Sequence, residues 1–179
     1  SVIYKQQLNR KTIKDKFVNI EDYLSSLKQK VTIYHNNSSL ISRISQMTQK
    51  TNQFNLTTKR YTERDIINFI DQKDSLVYAF SVKDKFGDSG VTGLSIITID
   101  DDKKTAEVDT LLLSCRILGR NIEFAFMDYM INDMKSKKIN KVKSQYLKTN
   151  KNEQVKDFYS ECSFETFDSN EKITNYFLD

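Results

Sequence analysis

The stretch "LLLSCRILGRNIEF", Leu111 to Phe124, decides how the chain is read. Three consecutive leucines mark a buried strand. Cys115 follows, then Arg116 and Arg120 on either side of Gly119, and then Ile122, Phe126, Met130 and Met134 at helical spacing. The spacing predicts a helix from about Asn121 to Lys137, entered through a short basic turn. A helix N-terminus presents unpaired N–H groups and a partial positive charge. A glycine there lets the backbone approach a ligand closely, and arginines add charge-assisted bonds. Arg116, Leu118, Gly119, Arg120 and Asn121 are therefore a candidate phosphate or pyrophosphate site. The same residues also fit an ordinary strand-to-helix connection. Cys115 has two readings as well. A neighbouring arginine and a helix N-terminus favour a thiolate that captures an acyl group as a thioester. Alternatively, it is a small residue that finishes the strand. No histidine stands near it in sequence.

Around this stretch the periodicity gives an alternating α/β chain. "NIEDYLSSLKQK" puts Ile20, Leu24 and Leu27 on one helical face. "VTIYH" is a strand from Val31, and "NNSS" caps a helix carrying Leu40, Ile41, Ile44 and Met47. Thr62 opens "TERDIINFIDQ", with Asp65 in the capping-box position. "SLVYAFSVKD", "VTGLSIITID" and "AEVDTLLLS" are three strands joined by the turns "KFGDSG" and "DDKKT", short enough for antiparallel hairpins. After the helix come a strand "KVKSQYLKT", a short helix "NEQVKDFYSEC", and strands "SFETF" and "ITNYFLD". One mixed, largely antiparallel sheet with helices on both faces packs this order most economically.

The totals narrow the function classes. The chain has 179 residues, 38% hydrophobic and 29% charged, which fits one globular domain with a sizeable core. The formal net charge of +4 is interspersed rather than gathered in a stripe, so no nucleic-acid partner is expected. A modest positive balance still suits an acidic protein or a phosphorylated ligand. No apolar run approaches the roughly 18 residues of a membrane span, and the first residues lack a signal-peptide core. With two cysteines, this points to reduced thiols in the cytoplasm. His35 is the only histidine and has no second ligand candidate, so no metal is expected. Cys162 falls on the apolar side of a helix and is expected in the core.

The element order, with R-x-x-G-x-[small] after the fourth strand, resembles the GNAT acyltransferase fold. There the turn between the fourth strand and the following helix holds the pyrophosphate of acyl-CoA. Arg116 and Gly119 match, and Asn121 stands where the pattern has Gly or Ala. A second signature, an Asn followed by a helix ending in Phe-Tyr and a Gly-Phe, is matched by Asn152, Phe158, Tyr159 and Phe164, with Ser163 in place of the glycine. "ISQMTQKTNQFNLTTKRYTERDI", "DKFGDSGVTG" and "DTLLLSCRILGRNIE" resemble the C-terminal domain of the FkbH-like family, over roughly Glu21 to Phe164. Proteins of that family join a HAD-type phosphatase domain to a GNAT-like domain and load a glyceryl unit onto an acyl carrier protein. The HAD domain is absent from this chain. Residues 1–30 then read as a helical extension or inter-domain connection, and 31–179 as the GNAT-like domain.

The resemblance implies roles. Cys115 would accept the glyceryl group from 1,3-bisphosphoglycerate and pass it to the phosphopantetheine thiol of the carrier. The turn Arg116–Asn121, with Asn152, would hold the phosphate of that arm or of coenzyme A. Tyr159 matches a position that in many GNAT enzymes protonates the leaving thiolate. Asn52, Gln53, Asn55, Thr57, Thr58 and Arg60 form an amide-rich segment that can hydrogen-bond the acyl chain or pantetheine, or else satisfy its own backbone. Asp109, by period-two counting, shares a face with Leu111, Leu113 and Cys115; it is a site base, or the partner of Arg60 or another cation. Two alternatives stand beside glyceryl transfer. One is a conventional CoA-dependent N-acetyltransferase, which needs a base but not Cys115. The other is a degenerate GNAT module that only docks the carrier.

Overall fold

The computed structural model describes residues 2–16, 25 and 27–179. A polar helix α1 (Val2–Lys16) precedes the sheet. The residues 17–24, on which the expected Ile20–Leu24 helical face falls, lie outside the described residues, while Leu27 is buried. Strand β1 (Lys30–His35) leads through a 3₁₀ turn, capped by the Asn37 side chain, into α2 (Ile41–Lys50). Helix α3 (Glu63–Asp71) starts in a reciprocal capping box between Thr62 and Asp65, as its sequence predicts. β2 (Ser75–Asp84), β3 (Gly87–Ile99) and β4 (Thr105–Leu113) follow as an antiparallel meander. β3 begins inside the "KFGDSG" turn, which makes the hairpin tighter than the sequence suggests. Next come α4 (Ile122–Ser136), β5 (Lys141–Leu147), α5 (Phe158–Glu161), β6 (Glu165–Ser169) and β7 (Ile173–Leu178). The expected helix over "NEQVKDFYSEC" is broken into a 3₁₀ turn, Glu153–Val155, and the one-turn α5.

The seven strands are ordered β1-β2-β3-β4-β5-β7-β6, and only β4 and β5 are parallel, joined across α4. The alternation of each strand divides the core. Tyr78, Phe80 and Val82 of β2 meet Phe126, Met130 and Met134 of α4 on one face. Val77 and Ala79 meet Ile44 and Met47 of α2 and Ile66 of α3 on the other. Gly93 is required where it stands, because a Cβ there would lie 1.8 Å from the Phe80 ring.

Two irregularities in β4 build the site. Ile97 pairs with Val108 and Ile96 with Thr110, so Asp109 is the extra residue of a β-bulge. Ala106 and Val108 face the α4 side before the bulge, and Leu111 and Leu113 face it after. Counting by two through Asp109 is therefore corrected: the bulge shifts the parity, and Asp109 does not share the leucines' face. Pairing with β5 also stops at the bulge, covering only Thr105–Val108 with Lys141–Ser144. Beyond it the gap between the strands is filled by the chain itself. The Leu56 N–H donates to the Leu111 carbonyl (3.1 Å), the Leu113 N–H to the Phe54 carbonyl (3.0 Å), and the Leu147 N–H to the Leu56 carbonyl (2.8 Å). Residues 54–56 thus form a wedge between β4 and β5, with Asn55 bridged to Leu112.

Candidate functional site

The end of β4 opens into a cleft of about 390 Å³. Arg43, Met47 and Lys50 of α2 form one wall, Thr51–Phe54 a second, and Leu113–Arg116 the third. Cys115 is exposed at its rim and begins a 3₁₀ turn, Cys115–Ile117, whose N-cap is Ser114. The structure therefore brings together four residues singled out from the sequence: Asn52, Gln53, Cys115 and Arg116. It adds two cations that sequence reading missed, Arg43 and Lys50, seven residues apart on α2. The ten residues of α2, "ISRISQMTQK", contain Arg43 and Lys50 and no acid, which was the available signal. Among the described residues, no carboxylate or imidazole lines the cleft. Arg43 donates to the Val91 carbonyl (3.1 Å) and to Gln46 (2.7 Å). Burial first, and then the charge of Arg116, hold the Arg43 guanidinium below the usual arginine range. Two like charges close together, with no carboxylate between them among the described residues, form a ready anion site.

Other predicted residues are placed elsewhere. Arg120 is buried, where it donates to Asp84 (3.4 Å) and to the Arg116 carbonyl (2.8 Å); this corrects its reading as a phosphate ligand. Gly119, in contrast, has a left-handed φ of 81° with open space around it. Asn121 also has a left-handed φ, 60°, and its side chain does not cap α4. Asn tolerates this conformation through its short polar side chain, which explains how it stands in for a small residue. Ser163, at φ 68°, does the same in the second signature. It closes α5 in a Schellman motif: the Phe164 N–H donates to Tyr159 (3.0 Å) and the Ser163 N–H to Ser160 (3.0 Å).

Asn152 is fully buried and clamps the wedge. Its amide donates to the carbonyls of Asn55 (2.9 Å) and Leu147 (2.9 Å), and its oxygen accepts from Tyr146 (3.2 Å) and the Thr149 N–H (2.8 Å). Asn55 is buried between Thr51 and Thr58, and Thr57 donates to the Asp109 carbonyl (2.9 Å). Arg60 donates to the carbonyls of Thr48 and Thr51 and to the Asn52 side chain. These four residues satisfy the fold's own polar groups, because a backbone enclosed between strands must be hydrogen-bonded. Asp109 pairs with Lys59 (3.0 Å) and accepts from Tyr61 (2.6 Å); Arg60 is not its partner. Burial, then the Asp109 hydrogen bond and charge, raise the Tyr61 phenol above its usual range. Tyr159 packs against Phe164 and Tyr176 in the core, away from the cleft. Burial drives that phenol upward. Cys162 is partly buried, and burial, reinforced by Glu161 and Glu123, pushes its thiol up to about 12.

No protein-family model and no curated protein matches the sequence. Solved structures match its shape. The GNAT domain of S. lividans PAT superposes with a TM-score of 0.65 at 12% identity, over 83% of this chain and 90% of that one. The PaiA N-acetyltransferase of Thermoplasma acidophilum, in complex with coenzyme A, gives 0.64 at 15% identity over 83% and 98%. The ribosomal-protein-S18-alanine N-acetyltransferase of Escherichia coli gives 0.62 at 10% identity over 83% and 93%. The chain has the GNAT fold.

Proposed function

We propose that this domain is an acyltransferase that carries a glyceryl group on Cys115 and passes it to the phosphopantetheine thiol of an acyl carrier protein. The observation that carries the reading is an exposed thiol beside three cations in a cleft that no carboxylate lines among the described residues. Such a cleft suits an anionic acyl donor. The Cys115 thiolate attacks the carbonyl carbon of 1,3-bisphosphoglycerate, the bond to the bridging phosphate oxygen breaks, and inorganic phosphate leaves. A HAD-type partner hydrolyses the remaining phosphate ester. The carrier thiolate then attacks the thioester, and Cys115 leaves as thiolate. Thioester exchange is nearly energy-neutral, so positioning is the main demand on the protein. Arg116 and the open backbone at Gly119 fit the phosphate end of the carrier's arm. The edge of β4 beside them is taken by the wedge, so the arm must reach Cys115 through the cleft.

A CoA-dependent N-acetyltransferase fits the fold equally well, and its difficulty is local: among the described residues the cleft offers an ammonium acceptor no base and three like charges. The occupied β4 edge favours a second reading, a module that docks the carrier without chemistry. Intact-protein mass spectrometry separates them. With the HAD-containing partner and 1,3-bisphosphoglycerate, the parent and Cys162→Ser should each gain one hydroxylamine-labile glyceryl adduct, and Cys115→Ser none. Carrier loading at the parent rate by Cys115→Ser would rule out the covalent route. Arg43→Ala and Arg116→Ala should each weaken donor or carrier binding by about 1–3 kcal/mol.

A further inference from the structure

The mouth of the cleft is held from behind. The Arg116 carbonyl, one residue beyond Cys115, accepts two side-chain bonds, from Gln7 of α1 (3.0 Å) and from Arg120 (2.8 Å). Arg120 is fixed in turn by Asp84 at the end of β2 (3.4 Å). Asp84 is gripped by Arg10 of α1 through two bonds, 2.6 and 2.9 Å, and by the N–H groups of Phe86 (2.9 Å) and Gly87 (3.2 Å). Arg10, Asp84 and Arg120 are all buried, and none lines the cleft. Gly87 leaves room for α1, since a Cβ there would meet the Gln6 amide at 2.1 Å.

We propose that Asp84 is a positioning residue, which acts through Arg120 and, together with α1, fixes the turn that aims Arg116 at Cys115. A single carboxylate holds two arginines from distant parts of the chain, and one of them reaches the backbone of the site. Arg116 lies in the 3₁₀ turn Cys115–Ile117, and the four residues that follow it, Leu118 to Asn121, have no regular secondary structure, so these side-chain bonds brace the backbone from which Arg116 projects. Helix α1 thereby belongs to the site without touching a ligand. The inference rests on the cleft being an anion site, and not on acyl transfer.

The test uses chemical labelling of the whole chain in a Cys162→Ser background. Cys115 is reacted with a dianionic aromatic disulfide, Ellman's reagent, and with the neutral 4,4′-dithiodipyridine, with and without inorganic phosphate. The ratio of the two rates reports the local positive potential independently of global stability. In the parent the anionic reagent should be favoured over its ratio on free glutathione, and phosphate should protect. Asp84→Asn and Arg120→Met should lower the ratio about threefold and weaken protection. Arg120→Lys, which keeps the charge but not the fork, should recover only part. Met134→Ala, destabilised at the far end of α4, should keep the parent ratio. Should Asp84→Asn not fold, Gln7→Ala, a half-buried change on α1, should lower the ratio about twofold. Parent-like ratio and protection in Gln7→Ala and the folded Asp84 variant would overturn the positioning role. A parent without anion preference would overturn the cleft reading itself.

Discussion

The segment Thr51–Arg60 has two halves of nearly the same composition and opposite fates. Thr51, Asn52 and Gln53 line the cleft, with Gln53 exposed. Asn55, Leu56 and Thr57 are buried between β4 and β5. The side chains do not explain the difference, since amides and hydroxyls occur in both halves. The backbone does. Once β4 and β5 part at the Asp109 bulge, each leaves a row of peptide groups unpaired, and the downstream half supplies their partners. Its own polar side chains then have to be satisfied in place, by the Thr51 carbonyl, the Thr58 N–H and the Asp109 carbonyl. The upstream half meets no such edge: the Asn52 oxygen accepts from Arg60, and the Gln53 amide stays exposed and available to a ligand.

Breaking the downstream half should cost most. Asn152→Ala strands two carbonyls and an N–H at once, leaves the Tyr146 hydroxyl only the longer bond to the residue 152 carbonyl, and should lose about 4 kcal/mol in chemical denaturation. Asp84 provides a buried reference outside the segment. Burial raises its carboxyl, but the Arg10 bond, the Phe86 N–H and both arginine charges outweigh burial and hold it below the usual range. Its contribution is therefore complete above the unfolded carboxyl value of about pH 4 and is lost as pH falls through the lower folded value. Asp84→Asn should cost about 3 kcal/mol at neutral pH and flatten the acid limb of a stability-against-pH curve. Ser163→Gly relieves a left-handed serine at a helix end and should stabilise by about 0.5–1 kcal/mol, read as a rise in the denaturation midpoint. Smallest of all, Gln53→Ala should change stability by less than about 0.5 kcal/mol while weakening binding at the cleft. A stability loss there as large as at Asn152 would erase the contrast between the halves.

The same contrast sets what the sequence could reveal. Strands and helices repeat locally, so β2, β4, α4 and the Thr62 capping box are legible from periodicity and capping alone. Cys115, Arg116, Asn52 and Gln53, which meet at the cleft, carry local signals as well: a strand end, a thiol and a polar loop. Asn55, Thr57, Arg60 and Asn152 were not separable from them, since their partners lie on other elements. A bulge inverts the parity of a strand without a marker residue, which misplaced Asp109. Arg43 and Lys50 looked like a solvated helix face. The Arg10–Asp84–Arg120 cluster joins residues up to 110 positions apart, and no pattern along the chain announces such an ion pair.

The wedge also has a bearing on how the chain reaches its fold. Residues 54–56 must find β4 some 57 residues later and β5 some 91 residues later, and the Asn152–Asn55 bond spans 97. Loop closure over such separations is slow compared with hairpin formation. The β2–β3–β4 meander can zip by itself, but β5 must not pair along the whole of β4 before the wedge is seated. A register trapped beyond Val108 would exclude residues 54–56 and expose Leu56. Refolding should therefore show a fast phase that forms the meander and a slower one that closes the gap beside Cys115, so the cleft is the last part of the molecule to take shape.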